Sequence, residues 1–328
     1  MSIPLISLEE HFYSHAVYNA LDERGRQVFE HNPGYLKSLE DIDGERLTSM
    51  DQNGVTCQVI SHAWQTGGAG PDVCKAGNDE LANRIRDRHD RFAAFAVLPM
   101  GDPRASAIEL ERCVKQLGFV GALVDNHVDG KYFDGPEYDV LWQRASDLDV
   151  PVYIHPTLTS ASAIEERYSG NYPAGSAFSL AHESWGWHSD TGLHVLRLVS
   201  AGVFDRNPNL KVIVGHFGEM LPFMLERCEG FGYRWNASQR SLIDVWEQNI
   251  YVTTSGVWSL NPMRCLLANT KIEHILYSVD WPFTTNEEGR RWFEELASSG
   301  LLNPEQLELV AFRNAETLLR LGARKARQ

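Results

Sequence analysis

The chain has 328 residues, 43% of them hydrophobic, which is ample for a large core in one big domain or two smaller ones. Its 44 Asp and Glu against 30 Lys and Arg give a formal charge of −14, and no basic cluster offsets it, which argues against nucleic acid and anionic membranes as partners. Five scattered cysteines (Cys57, Cys74, Cys113, Cys228 and Cys265) with no CxxC pair, no signal-peptide pattern, and no apolar run near the ~18 residues of a membrane span point to a reduced, cytoplasmic protein.

Strand-like apolar runs alternate with helical patterns from end to end. The runs cover 5–9, 57–61, 92–98, 118–124, 150–155, 210–216, 249–255 and 274–280. Between two of them lies "DPRASAIELERCVKQL", where Asp102 suits a helix N-cap and Pro103 the first turn. "GPEYDVLWQRASDL" has the same apolar spacing and also leads straight into a strand. Eight strand–helix units predict a parallel (β/α)8 TIM barrel, an α/β fold, as one domain over 1–328. A doubly wound open sheet is the rival, but no GxGxxG follows the first strand. Two connections, at about 12–44 and 156–192, are too long for simple loops. Both follow a strand, which puts them on the C-terminal face of a barrel, where active sites sit. Residues 303–321 read as a last amphipathic helix packed outside, and 324–328 as a frayed end.

The strand ends carry the chemistry. Glu9 and His11 close the first run, His62 the second, His127 follows the fourth, His155 ends the fifth, His216 the sixth and Asp280 the eighth. In a closed barrel these positions converge on one axis. Two acids and two imidazoles, Glu9, His11, His155 and Asp280, form a donor set for one divalent ion, whose charge allows the acids to be buried. Glu9 and His11 are two apart and share a strand face, whereas Glu10 points the other way and reads as structural. Mixed N/O donors suit Zn, Mn or Mg. His62 and His127 carry no assignment, because a lone strand-end histidine is more often a hydrogen-bonded core or loop residue. Glu219 stands three residues after His216 in "VGHFGEMLPFMLER", within reach of its imidazole, a pairing that fixes the tautomer and raises basicity. Arg227, two turns on, is a candidate contact for an anionic substrate. Aromatic residues crowd the same loops: Trp185 and Trp187 with His182 and His188 in "HESWGWHSDTG", Trp281 and Phe283 around Asp280, and Phe12, Tyr13 and Trp64 after other strand ends. Such walls beside a polar floor suit a flat aromatic anion, with Phe283 as a substrate-side residue, although most of these rings are expected simply to pack the loops.

"LEEHF", "YIHP", "WGWHSDTGLHVLRL", "FDRNPNLKVIVGHFGEMLPF" and "YSVDWPF" together resemble the metal-dependent, non-oxidative hydroxybenzoate decarboxylases of the amidohydrolase superfamily. The resemblance spans the chain from first strand to last and is nearest to the 2,3-dihydroxybenzoate enzymes, then to the γ-resorcylate enzymes. The superfamily's hydrolases open with His-x-His, and here it is Glu9-x-His11. No lysine ends the fourth run, so a two-metal site bridged by a carbamylated lysine is not expected. The resemblance implies one divalent ion on Glu9, His11, His155 and Asp280, a His216–Glu219 pair beside the substrate, Arg227 on the substrate side, and a homo-oligomer, tetramer or dimer. Family members differ in how closely the first histidine approaches the ion.

The implied reaction converts 2,3-dihydroxybenzoate to catechol and CO2, reversibly. Chelation through the carboxylate and its ortho oxygen orients the ring, and the carbon bearing the carboxylate then accepts a proton. Asp280 is the expected donor, recharged from the substrate's own hydroxyl with His216 as relay. No redox cofactor or pyridoxal is required. Two other readings are a metal-dependent hydrolase (lactonase or amidase) on the same barrel, and a catalytically silent barrel acting as a binding module. A silent barrel would bind no stoichiometric metal.

Overall fold

Eight short runs rich in Val, Ile and Leu become eight parallel strands because both of their faces are covered, one by the barrel lumen and one by helices. The computed structural model describes residues 3–23, 25, 26, 29, 33–62, 68–235 and 239–322. Trp64 and the segment 324–328 lie outside the described residues. The strands are β1 (Leu5–Phe12), β2 (Val55–His62), β3 (Phe92–Ala94), β4 (Ala122–Asp125), β5 (Val152–His155), β6 (Val212–Val214), β7 (Ile250–Thr253) and β8 (Ile275–Leu276). They pair in parallel as β1-β2-β3 and β4-β5-β6-β7-β8. Parallel bridges Ala96–Ala122 and Glu10–Trp281 join the two sets into a ring. The fold is therefore the expected (β/α)8 barrel, with strands shorter than most of the apolar runs.

Two layers of core follow from strand alternation. Ile6, Leu8, Val59, Phe95, Leu123, Tyr153, Ile213 and Leu276 fill the lumen. Leu5, Phe12, Ile60, Ile154, Val212 and Val252 point outward and pack with the helices. Asp102 caps the helix Pro103–Arg112 by accepting from the Arg104 and Ala105 amides. The tail departs from expectation. It is a helix Pro304–Glu308, a π-helical stretch Leu309–Arg313 and a helix Asn314–Leu319. Ala315, Leu318 and Leu319 belong to the lumen cluster, so this segment plugs the barrel instead of lying outside it.

Strand β1 contains a bulge that decides the site. Ser7 pairs with Gln58, yet Glu10 pairs with Ile60, so β1 carries one residue more than its neighbour. The extra residue is accommodated by one acceptor, Ser278 Oγ, which takes both the Leu8 and Glu9 amides at 3.2 and 2.7 Å. Ile6 and Leu8 face the lumen before the bulge, and Glu9 and His11 face it after. Glu10 is turned into the wall, where the Val279 and Trp281 amides and the Gln58 side chain donate to it at 3.1, 3.3 and 3.1 Å. Burial pushes its carboxyl up to about 8, as fits a structural acid. The two long connections fold into short helices, including His15–Ala20, Pro33–Glu40, Ala161–Arg167 and Ala174–Ala181, and both supply residues to the cavity described next.

Candidate active site and metal centre

Three strand ends deliver the four donors: Glu9 and His11 come from β1, His155 from β5 and Asp280 from the segment after β8. Glu9 arrives from β1 with its two oxygens in different roles. Oε2 accepts from the Tyr153 and Ser255 hydroxyls, while Oε1 has no hydrogen-bond partner among the described residues. Oε1 lies 3.1 Å from His155 Nε2 and 3.7 Å from His216 Nε2. His155 donates Nδ1–H to the Pro156 carbonyl at 2.6 Å, which leaves Nε2 bare towards Glu9. His11 is buried, with neither ring nitrogen hydrogen-bonded among the described residues, and its Nε2 lies 3.1 Å from Asp280 Oδ1. One atom each from Glu9, His11, His155 and Asp280 lies within 4.8 Å of the others.

These four side chains fit a divalent ion. Close N···O pairs without hydrogen-bond geometry are lone pairs converging on a common point. Buried acceptors left this way are costly unless a cation meets them. The donor set, oxygen and imidazole nitrogen, is that of a borderline or hard metal. Burial alone would raise the Glu9 carboxyl; the His216, His155 and His11 imidazoles overcome it and hold Glu9 well below the usual carboxylate range.

The next shell is a second cluster. His216 and Glu219 lie on a turn of unusual backbone: His216, Phe217, Glu219 and Met220 have φ of 49°, 58°, 51° and 66°. Such left-handed residues cost on the order of 1 kcal/mol or more each and persist where the surroundings enforce them. Gly215 precedes them. A Cβ there would stand 2.9 Å from both Glu9 Oε2 and the Tyr153 hydroxyl, so the turn can approach the donor cluster only through glycine. Glu219 is buried and accepts Nδ1–H from His216 and from His188, both at 2.7 Å. Burial raises its carboxyl, but the charges of His216 and His188 prevail and bring it down to about 2. His188, His216 and Glu219 are close enough for a metal, yet both carboxylate oxygens are already committed to ring N–H groups, which argues against a second ion there. His216 Nε2 is left facing Asp280 Oδ2 at 3.9 Å.

A cavity of about 490 Å3 opens over both clusters. His155, His216 and Asp280 form its floor, with Tyr35, Phe178, Trp187, His188 and Phe283 among its walls. That volume accommodates a substituted benzoate with room to spare.

The structure thus brings together Glu9, His11, His155, Asp280, His216, Glu219 and Phe283. Arg227 is the exception and must be corrected. The helix Leu221–Glu229 buries Leu221, Pro222 and Leu225, which leaves Arg227 on its exposed side, 4.9 Å over the Phe231 ring. Among the described residues no arginine or lysine lines the cavity. His62 bonds Ser14 Oγ at 2.9 Å inside the core, and His127 lies 3.7 Å from Asp190. Phe12 and Tyr13 are core residues, Trp281 is buried in the wall, and Trp185 is 54% exposed. Tyr153 and Ser255, which hold Glu9, escaped sequence reasoning, and the sequence places His188 only within an aromatic-rich loop, not as the partner of Glu219. Tyr153 had a signal, since it lies two residues before His155 and shares its face.

The family model described as amidohydrolase matches residues 28–321. Decarboxylase orsB of Emericella nidulans is 54% identical, with 99% of each chain covered. The crystal structure of 2,6-dihydroxybenzoate decarboxylase complexed with 2,6-dihydroxybenzoate superposes with a TM-score of 0.85 at 30% identity, covering 98% of this chain and 100% of that one. A dihydroxybenzoic acid decarboxylase from Polaromonas sp. JS666, with bound manganese and the inhibitor 2-nitroresorcinol, gives a TM-score of 0.83 at 29% identity over 98% of both chains. On the geometry of the donor cluster and on these similarities, this chain belongs to the amidohydrolase family and stands among its decarboxylases.

Proposed function

We propose that this chain is a non-oxidative, divalent-metal-dependent decarboxylase of an ortho-hydroxybenzoate. The observation that carries the reading is the convergence of Glu9, His11, His155 and Asp280, with Glu9 Oε1 and the His11 ring nitrogens buried and without hydrogen-bond partners among the described residues, beneath an aromatic-walled cavity that His155 and Asp280 line. The sequence lead for the substrate is 2,3-dihydroxybenzoate, giving catechol. A second reading, 2,6-dihydroxybenzoate, is favoured by the ligand bound in the relative of TM-score 0.85.

Glu9, His11, His155 and Asp280 would hold the ion, manganese, zinc or magnesium by donor type. When bound, the ion would supply the positive charge that offsets the two acids and attracts the substrate's carboxylate and ortho oxygen; among the described residues no arginine or lysine lines the cavity to supply it instead. The remaining chemistry belongs to the chain. Tyr153 and Ser255 fix Glu9, and the Pro156 carbonyl fixes the His155 tautomer. Glu219 fixes His216 with Nε2 towards Asp280. The proton lost from the ortho hydroxyl on binding is held between Asp280 and His216. Asp280 delivers it to the ring carbon that bears the carboxylate, and the ortho oxygen takes up carbonyl character. The bond to the carboxylate then breaks, CO2 leaves, and its electron pair restores the ring. A solvent proton regenerates the phenol. Every step is reversible, so catechol with concentrated bicarbonate gives 2,3-dihydroxybenzoate if that is the substrate.

The test is incubation of metal-loaded protein with a panel of ortho-hydroxybenzoates, following CO2 and phenol release. Turnover of at least one member, and none of 2-methoxybenzoate, is expected. Lactone, ester or amide hydrolysis with no CO2 from any member of the panel overturns the reading in favour of a hydrolase.

A further inference from the structure

A second cavity, of about 430 Å3, adjoins the first. The two share His188, His216, Glu183 and Val257, and Glu219 reaches only the second. His188 therefore stands in the partition between them, on the first turn of the helix Gly186–Ser200. We propose that His188 is a positioning residue of the reaction, holding the outer oxygen of Glu219 so that the His216–Glu219 pair stays aimed at the substrate cavity. The proposal rests on the role given above to that pair.

Three observations carry it. First, Glu219 is 1% exposed, and its two oxygens are each taken by one Nδ1–H at 2.7 Å, from His216 inside and His188 outside. Without His188 a buried carboxylate oxygen would lose its partner, and the carboxylate would be free to rotate away from His216. Second, with Nδ1–H given to Glu219, the far nitrogen of His188 is bare and accepts the Trp187 indole N–H at 3.0 Å, which holds the ring in the orientation that keeps Nδ1–H on Glu219. Third, the His188 and His216 rings meet edge to face at 4.6 Å between centroids, so the inner ring is braced by the outer one as well as by the shared carboxylate. His188 is not one of the four converging donors beneath the cavity, so its loss leaves the metal site intact.

The test uses the full chain loaded with manganese and whichever panel member turns over best. H188F keeps ring volume and removes the donor. H188N places an amide N–H near the Nδ1 position, whereas H188Q places one near Nε2. We expect H188F and H188Q to lower kcat about tenfold or more, the scale of one lost hydrogen bond to a buried charge, with KM changed less than about threefold. H188N should recover most of kcat, and bound manganese should stay at the wild-type level in all three. A second measurement does not depend on activity. The imidazole N–H region of the proton NMR spectrum of the metal-free or magnesium-loaded chain should show two downfield signals, from His188 and His216 on Glu219. H188Q should lose one and shift the other. Wild-type kcat in H188Q, or an unmoved His216 signal, overturns the proposal. If the wild-type chain decarboxylates nothing in the panel, the function reading fails and the NMR comparison alone decides the role of His188.

Discussion

Glu9 divides its labour between two oxygens, and that division sets what substitutions there should do. Oε2 is held by Tyr153 and Ser255, so Oε1 is presented without freedom to turn. Glu9→Ala or His155→Ala should therefore lose metal and activity together, by more than the roughly 10–100-fold that loss of a supporting partner costs. Tyr153→Phe removes only a supporting hydroxyl and should fall within that range. Metal analysis beside turnover checks both, and full metal occupancy with normal turnover in Glu9→Ala would remove the site. His216 lies outside the converging set. His216→Asn should keep its metal and slow turnover about 10²-fold or more, the scale of losing a positioned proton-transfer group. Glu219→Gln should do less, because the imidazole remains. Normal turnover in His216→Asn would leave that residue a structural role only. The donors at strand ends could be found in the sequence because strand parity and barrel convergence are regular. Arg227 could not be placed the same way, since helical spacing gives a face but not which face is outward. Leu221, Pro222 and Leu225 settle that by taking the buried side.

At the level of elements, the bulge in β1 and the turn at 215–220 do what regular structure cannot. Period-two reasoning correctly grouped Glu9 with His11. Continued back along the strand, however, it would set both on the side opposite Ile6 and Leu8. Only the extra residue opposite Gln58–Ile60 reconciles an apolar lumen with a polar mouth on one strand. Nothing in "LISLEEHF" announces it, because the partner that stabilises the bulge, Ser278, is 269 residues away from Glu9. The turn is similar: four non-glycine residues with positive φ are held by the packing of distant elements, which no local propensity favours. Gly215→Ala tests how tightly turn and donor cluster are pressed together. Its Cβ would meet Glu9 Oε2 and the Tyr153 hydroxyl, neither able to retreat far. A loss of about 1–3 kcal/mol in stability is expected from overpacking, with weaker metal binding. Denaturant unfolding and metal titration measure the two effects. An unchanged metal affinity would mean that the turn can move back without disturbing Glu9.

Across the whole molecule, closure of the barrel turns eight separate runs into one core, and it also commits polar side chains to that core. The eight-unit count and parallel order could be read from alternation alone. The plug formed by Ala315, Leu318 and Leu319 could not, since an amphipathic pattern shows that a face is buried without saying against what. Two of the buried polar residues, His62 and His194, make stability depend on pH. Burial, and for His194 also the nearby positive charge of Arg197, brings each down to about 3. His194 is held neutral at both nitrogens: Nδ1–H donates to Asn126 Oδ1 and Nε2 accepts the Phe133 amide, each at 3.2 Å. In the unfolded chain a histidine titrates near 6.5. Between that value and about 3 the unfolded chain binds a proton that the folded chain refuses, so each residue's contribution is complete above 6.5 and is lost as pH falls. The slope is up to about 1.4 kcal/mol per pH unit per residue. His194→Gln should lower stability at pH 7.5 yet flatten its decline between pH 6.5 and 4.5 relative to the parent chain. Because both proteins keep the same metal site and the same carboxylates, the difference between their curves isolates His194. Chemical denaturation at several pH values, at saturating metal, measures it. Parallel curves would mean that His194 takes up its proton in the folded state, and that the Phe133 amide and Asn126 do not hold it neutral.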